Sequence, residues 1–253
     1  MLAAERHRRI VAEISRLKFV TTDELTTMLG VSPETVRRDL VLLERRGELT
    51  RVHGGATAAG SPVGEEASFS ERSGTFAEEK QAIGRAAAAL VEPHQTIVLD
   101  VGTTSLEVAR ALPMDHTGVI ATPSLLVAAE VVTRPRVEVL VSGGRLRGGD
   151  LACSNAQAVD FFSDLRADAV FLGSGGIAPY GLTDFHLDEV ATKRAMLANA
   201  SRRYVLADSS KFGRTAAHRV CELSGFDTLI TDKPCPSELQ TALDQAGGSV
   251  IVA

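Results

Sequence analysis

The sequence predicts two domains: a small helical module with a short β-hairpin, and a larger α/β domain with a largely parallel open sheet. Three helical patterns, a short strand and a glycine turn occupy the first 58 residues. Strands and helices then alternate from residue 77 onward, which is typical of a parallel sheet covered on both faces. We expect the domains at 1–57 and 75–253. The stretch 58–74 between them is rich in Gly, Ser, Glu and Pro and has the composition of a linker.

Charge is distributed unevenly between these two parts. The chain has a net charge of −5, yet its first 58 residues hold ten Lys and Arg against eight Asp and Glu, while the remainder holds 17 against 24. A DNA-contacting module needs local positive charge and not a basic whole chain. The balance therefore leaves nucleic-acid binding open for the N-terminal module.

Composition also excludes several classes of protein. No apolar run approaches the roughly 20 residues that a membrane span needs, and the charged first residues do not form a secretory signal. We expect a soluble, cytoplasmic protein with no membrane partner. The three cysteines show no CxxC or Cys/His spacing, so we expect neither a disulfide framework nor a metal site. No cofactor is predicted.

The N-terminal module shows clear helix boundaries. A helical pattern covers 4–17, and Thr21 with Glu24 forms a capping box for a second helix that stops at Gly30. Ser32 is the N-cap of a third helix, which runs to about residue 46 and ends at Gly47. A strand at 48–52 and a turn at 53–55 follow.

The third helix is amphipathic. Val36, Leu40 and Leu43 fall on one face, whereas Glu34 and Arg38 fall on the opposite face. The helices alone fit an ordinary bundle with a solvated charged face equally well. With their spacing, they also fit a helix-turn-helix whose third helix enters a DNA major groove. The strand and turn would then form a wing that places Arg51 and His53 near phosphates.

In the C-terminal part, the strongest local signal follows the strand at 96–99. Asp100 ends this strand, and Gly102 with the hydroxyl residues 103–105 opens a helix. Free N–H groups and the helix dipole favour an anion at such a loop. A plain N-capped helix explains the same pattern.

Similar polar, glycine-rich loops follow other strands, at 121–124, 142–145, 173–176, 181–184 and 207–213. Several such loops at strand ends make a ligand site more probable than any one of them does. The chain has five lysines against 22 arginines, and Lys80, Lys193 and Lys211 lie beside these motifs. Retained lysines suit a compact phosphate contact.

The string VSPETVRRDLVLLERRGELTRVHGGA closely resembles the N-terminal signature of DeoR-type transcriptional regulators, across helix, turn and wing. The resemblance implies a winged helix-turn-helix that binds a double-stranded DNA operator. The positions that it implies for DNA contact are Ser32, Thr35, Arg37, Arg38 and Arg51, with Arg38 on a base.

The segments DVGTTS, GGRLR, LGSGGI, GLTDF, DEVATKRAM, LADSSKFG and LITD together resemble the C-terminal sensor domain of the same family. That domain is similar in fold to ribose-5-phosphate isomerase, and it binds phosphorylated sugars as inducers. The resemblance implies three groups of ligand-binding positions. The phosphate or adjoining sugar would contact Asp100, Gly102, Thr103, Thr104 and Ser105; the pocket would be lined by Thr122, Gly143 and Arg145; sugar hydroxyls would meet Glu189 and Lys193, with Lys211 on the anion.

Three positions depart from the family pattern. Pro123 stands where Asn is frequent, Gly175 where an acid or amide is common, and Ser154 where Gly is usual. The first two remove polar groups that would touch a sugar. Glu189 and Lys193 also fit an exposed salt bridge on one helix face.

The function that follows is a repressor of a carbohydrate operon that a phosphorylated sugar releases from DNA. A homo-oligomer, dimer or tetramer, is expected because helix-turn-helix proteins usually read repeated half-sites. Two alternatives stay open. One is a sugar-phosphate isomerase with Asp100, Asp184 or Glu189 as the base; the other is a DNA-binding regulator whose pocket binds nothing.

Overall fold

The computed structural model describes residues 3–17, 19–46, 48–52, 55–58 and 66–253. The chain divides into two compact units, one that comprises residues 1–65 and 213–215 and one that comprises residues 66–212 and 216–253. Among the described residues, no helix is both long and apolar enough to cross a lipid bilayer.

The first unit contains three helices and a three-stranded antiparallel sheet of order β1-β3-β2. Its elements are α1 (Ala3–Leu17), β1 (Phe19–Thr21), α2 (Thr22–Leu29), α3 (Pro33–Arg45), β2 (Leu49–Val52) and β3 (Gly55–Ala58). This arrangement confirms the predicted helix-turn-helix followed by a β-hairpin. Gly47 and the hairpin tip at 53–54 lie outside the described residues.

Side-chain caps fix the boundaries of α2 and α3. The Glu24 N–H donates to Thr21 Oγ1 at 3.1 Å, and the Thr21 N–H donates to Glu24 Oε2 at 2.9 Å, which confirms the capping box. Gly30 ends α2 with a φ of 62°, a left-handed conformation that favours glycine. Ser32 then caps α3, and Pro33 occupies its first turn, as predicted.

The core of this unit is aliphatic, with one polar exception. Val36, Leu40 and Leu43 of α3 are buried together with Ile10 and Ile14 of α1. Asp39, also buried on α3, accepts a hydrogen bond from Arg6 at 2.5 Å and lies 2.8 Å from His7 Nε2. These contacts join α3 to α1, so the exposed face of α3 is presented on a fixed support.

The second unit is an α/β domain. Its elements are α4 (Phe69–Gly74), α5 (Ala77–Ala88), β4 (Thr96–Leu99), α6 (Thr103–Ala111), β5 (Gly118–Thr122), α7 (Leu125–Val131), β6 (Val137–Val141), β7 (Arg145–Arg147), β8 (Ala152–Ser154), α8 (Ala156–Asp164), β9 (Ala167–Gly173), β10 (Gly176–Ala178), β11 (Gly181–Asp184), α9 (Leu187–Ala198), β12 (Ala200–Leu206), β13 (His218–Cys221), β14 (Thr228–Thr231), α10 (Ser237–Ala246) and β15 (Ser249–Val252).

Seven strands form one parallel sheet of order β15-β14-β12-β9-β4-β5-β6. Side chains alternate between its two faces: Val170 and Leu172 of β9 pack in one apolar cluster, whereas Ala169 and Phe171 pack in another. Helices cover both clusters. The predicted open parallel sheet is confirmed.

The structure differs from the sequence expectation in two places. Five short strands that were not predicted pair antiparallel outside the main sheet, as β10-β11-β13 and β7-β8. Of these, β11 coincides with the loop expected at 181–184, and β7 and β10 begin at the last residues of the loops expected at 142–145 and 173–176. Residues 66–74, expected in the linker, belong to the second unit and contain α4. Ser68 and Glu71 form a capping box at its start, and Phe69 packs against the core.

The strand order places a topological switch point beside β4. From β4 the chain builds outward through β5 and β6, and it returns to the other side of β4 to form β9. The connections that leave the carboxyl ends of β4 and β9 therefore run in opposite directions along the sheet, which leaves a crevice between them. Open α/β sheets bind ligands at such a crevice.

Close packing of α5 on α6 makes Gly84 necessary. A Cβ atom at Gly84 would lie 2.7 Å from the backbone carbon and oxygen of Glu107. We expect Gly84→Ala to lower the free energy of unfolding of this unit by about 1–3 kcal/mol, because the helices must separate. Urea unfolding monitored by tyrosine fluorescence checks this, since both tyrosines, Tyr180 and Tyr204, lie in this unit. Gly148→Ala, where an added Cβ meets no atom within 4 Å, is the matched control and should be near neutral.

Candidate functional site

The exposed face of α3 carries two arginines. Arg37 and Arg38 expose 65% and 79% of their side chains, and both lie near Glu34, at 3.8 Å and 3.3 Å. The opposite face of α3 is buried in the core. A helix anchored on one face and cationic on the other has the geometry that major-groove recognition requires.

Three further predicted positions surround this face. The Thr35 N–H donates to Ser32 Oγ at 3.3 Å, so both residues lie in the first turn of α3. Arg51 on β2 is exposed, with its Nη1 3.7 Å from Glu44 Oε2. Predicted His53 lies outside the described residues.

A polar pocket lies at the switch point of the second unit, at the carboxyl ends of β4 and β9. It is lined by Glu66, Arg72, Lys80, Val101, Gly102, Thr103, Thr104, Asp150, Gly173, Ser174, Asp184, Glu189, Lys193 and Lys211. Six of the predicted ligand residues are therefore brought together, namely Gly102, Thr103, Thr104, Glu189, Lys193 and Lys211.

One wall of this pocket is the start of α6. Gly102 precedes the helix with a φ of 117°, and no side chain caps the first N–H groups. The positive end of the helix dipole thus lies at the pocket, which Lys80 and Lys211 also line. This combination can bind an anion such as phosphate.

The floor of the pocket is a buried ion cluster. Lys193 Nζ on α9 lies 2.5 Å from Asp100 Oδ2 and 2.8 Å from Asp184 Oδ2, and only 2% of its side chain is exposed. It also donates to Gly173 O at 2.9 Å. The Gly173 N–H donates to Asp100 Oδ2 at 2.9 Å, which joins the ends of β4 and β9. Among the described residues, no group of three or more His, Cys, Asp or Glu is arranged to hold a metal ion.

Burial and charge oppose each other in this cluster. Burial would lower the pKa of Lys193, but Asp100 and Asp184 outweigh it and raise that pKa above its usual value. Burial raises the pKa of Asp100. For Asp184, burial is the largest single effect and would raise the pKa, but the charge and hydrogen bond of Lys193, together with the hydrogen bond from the Phe185 N–H, hold the pKa below its usual range. Lys193 is therefore a permanent cation at the base of the pocket.

Glu189 lies one helical turn before Lys193 and is buried. Burial raises its pKa to about 8, despite the nearby charge of Lys193. Arg147 Nη2 lies 2.5 Å from Glu189 Oε1 and also pairs with Asp150. Burial of both Glu189 and Lys193 excludes the exposed helix salt bridge as the explanation of their spacing.

Five predicted ligand residues do not line this pocket. Asp100 lies beneath it, and Ser105 is buried with its hydroxyl 3.4 Å from Val101 O. Thr122 is buried and accepts the Ser124 N–H at 3.0 Å. Gly143 adopts a left-handed turn with a φ of 66°. Exposed Arg145 pairs with Asp188 in an adjacent depression that shares Glu189 with the pocket.

Sequence reasoning missed several lining residues. Glu66 and Arg72 fall in the expected linker, and Asp150 lies in a turn between β7 and β8. Arg147 contacts Glu189, where the resemblance had indicated Arg145 two residues earlier. The period-2 alternation of β7 places Arg145 and Arg147 on the same face, so the sequence alone could not choose between them.

The three residues that depart from the family pattern, Gly175, Pro123 and Ser154, each have defined contacts or surroundings in the second unit. A Cβ at Gly175 would lie 3.0 Å from Asp184 Cα and from Thr183 O, so the backbone of β11 fills the space of a larger side chain. Pro123 O accepts the Cys153 N–H at 2.7 Å. Ser154 is buried in β8 and lines the adjacent depression.

A winged helix-turn-helix combined with an α/β unit that holds a polar pocket defines a ligand-responsive transcriptional regulator. A family model of the DeoR C-terminal sensor domain matches residues 75–233, and a model of the DeoR-like helix-turn-helix domain matches residues 6–61. The chain belongs to the DeoR family of transcriptional regulators, as the resemblance had implied.

Full-length relatives support the same assignment. The chain is 35% identical to the glycerol-3-phosphate regulon repressor of Escherichia coli K12, over 96% of each chain. It is 35% identical to the transcriptional repressor CsqR of the same organism, over 98% of this chain and 94% of CsqR. The regulator GlpR of Haloferax volcanii is 35% identical over 99% of this chain and 98% of its own length.

Similarity to solved structures is weaker. Ribose 5-phosphate isomerase A of Methanocaldococcus jannaschii overlaps 55% of each chain at 16% identity, with a TM-score of 0.41. A likeness at this level carries no argument about function.

The raised pKa of Glu189 predicts a pH-dependent stability. A carboxyl group with a folded pKa of about 8 and a usual value of 4.5 binds more protons in the folded state between those values. Stability from this group is full at acidic pH and is lost as pH rises toward 8. We expect wild type to lose stability relative to Glu189→Gln as pH rises. The unfolding free energy of the variant minus that of wild type should increase by up to about 1.4 kcal/mol per pH unit across that window.

Urea denaturation from pH 5 to pH 9 measures this difference. Glu138→Gln, a change at an exposed carboxylate on β6, is the matched control. A Glu189→Gln difference that stays constant with pH would show that Glu189 is ionised in the folded protein at neutral pH.

Proposed function

We propose that the protein is a repressor whose operator affinity falls when a phosphorylated sugar or polyol binds the pocket of its second unit. The observation that carries this proposal is the joint presence of an exposed arginine face on α3 and an anion-compatible pocket at the switch point. Membership of the DeoR family supports it, and one relative is named for the glycerol-3-phosphate regulon.

On the DNA side, we assign Arg38 to a base edge and Arg37 and Arg51 to phosphates. Arg38 is the most exposed of the three, and a guanidinium can bind guanine through two hydrogen bonds. Ser32 and Thr35 lie at the start of the helix, where hydroxyl and N–H groups suit a phosphate.

On the effector side, the phosphate would lie at the start of α6. The uncapped N–H groups, the hydroxyl groups of Thr103 and Thr104, and the ammonium groups of Lys80 and Lys211 supply its donors. Each of these is on the pocket wall, and together they offset the double negative charge of the ligand.

The sugar or polyol part would extend toward α9. Glu189, protonated near neutral pH because burial raises its pKa to about 8, can donate to a hydroxyl oxygen. Asp184 is ionised beside Lys193 and can accept from another hydroxyl. A donor beside an acceptor suits a hydroxyl-bearing carbon chain.

The effector lowers operator affinity only if it binds the DNA-free conformation more tightly. A homo-oligomer, dimer or tetramer, fits the repeated half-sites that helix-turn-helix proteins read. Operator DNA as the target favours a cytoplasmic location.

Arg38→Ala tests the DNA assignment. We expect operator binding to weaken by about 1–3 kcal/mol and sequence preference to relax, because a base contact is lost. Fluorescence anisotropy with operator and scrambled duplexes measures both. Arg9→Ala, which removes an exposed arginine of α1 paired with Glu5, is the matched control; equal losses in the two variants would reject a specific role for Arg38.

Lys211→Met tests the effector assignment. We expect the dissociation constant for a phosphorylated effector to rise about tenfold, which corresponds to about 1.4 kcal/mol for the lost charge-assisted contact. Thermal shift with a panel of sugar phosphates identifies a ligand, and titration calorimetry gives the constant. Lys233→Met removes an exposed lysine after β14 and should leave it unchanged. A wild type that responds to no phosphorylated compound would contradict the proposed function.

A further inference from the structure

Two residues that line the pocket, Glu66 and Arg72, form an ion pair with each other. Glu66 Oε1 lies 2.8 Å from Arg72 Nη1, and Glu66 Oε2 lies 3.5 Å from His186 Nε2. Both Glu66 and Arg72 line the pocket, and they expose only 15% and 16% of their side chains. The pair thus lies beside Lys80, Lys211 and the start of α6.

The helix that carries Arg72 depends on contacts around this pocket. Six residues form α4, and a helix this short is not stable alone. Lys80 Nζ donates to Arg72 O at 2.5 Å and to Thr75 O at 2.6 Å, which binds carbonyl groups at the end of α4. Arg72 Nε donates to Ala67 O at 2.9 Å. The segment 66–75 is therefore held by the same two cations, Arg72 and Lys80, that face the pocket.

We propose that Arg72 is a further effector-binding residue and that Glu66 is its internal competitor, which the anionic group of the effector displaces. This inference rests on the proposed function, since it concerns the same pocket. Neither residue belongs to a sequence motif that the family resemblance covers.

Repulsion between negative charges makes Glu66 and the phosphate of the effector compete for Arg72. An arginine fork binds phosphate through charge-assisted hydrogen bonds, but a phosphate on Arg72 brings its charge against the carboxylate of Glu66. Asp150 Oδ2, at 3.8 Å from Arg72 Nη2, adds a second negative charge. Like charges this close in a partly buried site repel strongly. The guanidinium therefore binds either Glu66 or the ligand.

Displacement of Glu66 has a consequence along the chain. Residue 66 is the first residue of the second unit, and the preceding residues belong to the first unit. Release of Glu66 from Arg72 and His186 removes the ion pairs that hold the start of the second unit against its own pocket. The proposal thus links effector occupancy to the contacts of the first described residues of the second unit, 66–75.

Titration calorimetry with inorganic phosphate on the full chain tests the competition. We expect Glu66→Gln to lower the dissociation constant about tenfold, because the wild-type pocket binds only when Glu66 has left and its apparent affinity is reduced by that fraction. Glu78→Gln, at an exposed carboxylate in the first turn of α5, is the matched control for removal of one negative charge and should change little.

A double-mutant cycle separates this mechanism from general electrostatics. If Glu66 acts through Arg72, Glu66→Gln gives no tightening in the Arg72→Gln background. Tightening that persists in that background assigns the effect to overall charge and overturns the inference. Urea unfolding of all four proteins shows whether each one folds.

Hydrogen exchange gives an independent readout. We expect phosphate to speed amide exchange in residues 66–74 of the wild type, and Glu66→Gln to show that faster exchange without phosphate. Slower or unchanged exchange with phosphate bound overturns the inference. A wild type that binds phosphate with the same affinity as Glu66→Gln refutes the inference alone, whereas a wild type and variant that both fail to bind any phosphorylated compound refute the proposed function with it.

Discussion

The ammonium group of Lys193 between Asp100 and Asp184 is the interaction on which the second unit depends. It joins α9 to the end of β4 and to β11, and through Gly173 it reaches the end of β9. Lys193 is the residue that this cluster cannot lose, since its removal would leave buried Asp100 and Asp184 without a counter-charge, which costs several kcal/mol, about 3–5. The cluster therefore lies at the base of the pocket and also joins α9 to the strand ends at the switch point.

The same cluster makes two of the three carboxylates considered as general bases, Asp100 and Glu189, poorly suited to proton abstraction. A general base needs a carboxylate that is free to accept a proton from the ligand. Asp100 is covered and already accepts from Lys193 and from the Gly173 N–H. Burial leaves Glu189 protonated near neutral pH, and the backbone of β11 fills the space at Gly175. Family membership assigns the chain to transcriptional regulators, and these contacts give a physical reason why Asp100 and Glu189 do not serve as bases.

Local signals in the sequence determined most of the fold. Caps at Thr21 and Ser32, the positive φ at Gly30 and the alternation of strands and helices each depend on neighbours within a few residues, so they were readable. The strands β7, β8, β10, β11 and β13 have three or four residues each and, unlike the equally short β4, contain no continuous apolar run, so no strand was predicted for them. Arg72 and Glu66 were not readable as site residues, because only long-range packing brings α4 to the pocket. Arg145 and Arg147 share a face of β7, and only the fold of the hairpin selects Arg147 for Glu189.

The same kind of intramolecular ion pair occurs on the exposed face of α3 and in the pocket of the second unit, but the free energy needed to break it differs between the two places. Glu34 pairs with Arg38 and Glu66 pairs with Arg72, so in both units a carboxylate of the protein pairs with an arginine that we propose as a ligand contact. The Arg38 pair is exposed, and such pairs contribute about 0–1 kcal/mol, so DNA can take over the arginine at little cost. The Arg72 pair is mostly covered, where charges are screened less by solvent. Exchange there requires a ligand that supplies full charge and several hydrogen bonds at once, as a phosphate group does and a neutral sugar does not. If the effector displaces Glu66 as proposed, the pocket would discriminate against unphosphorylated carbohydrate, because a neutral sugar cannot replace the charge of Glu66 beside Arg72.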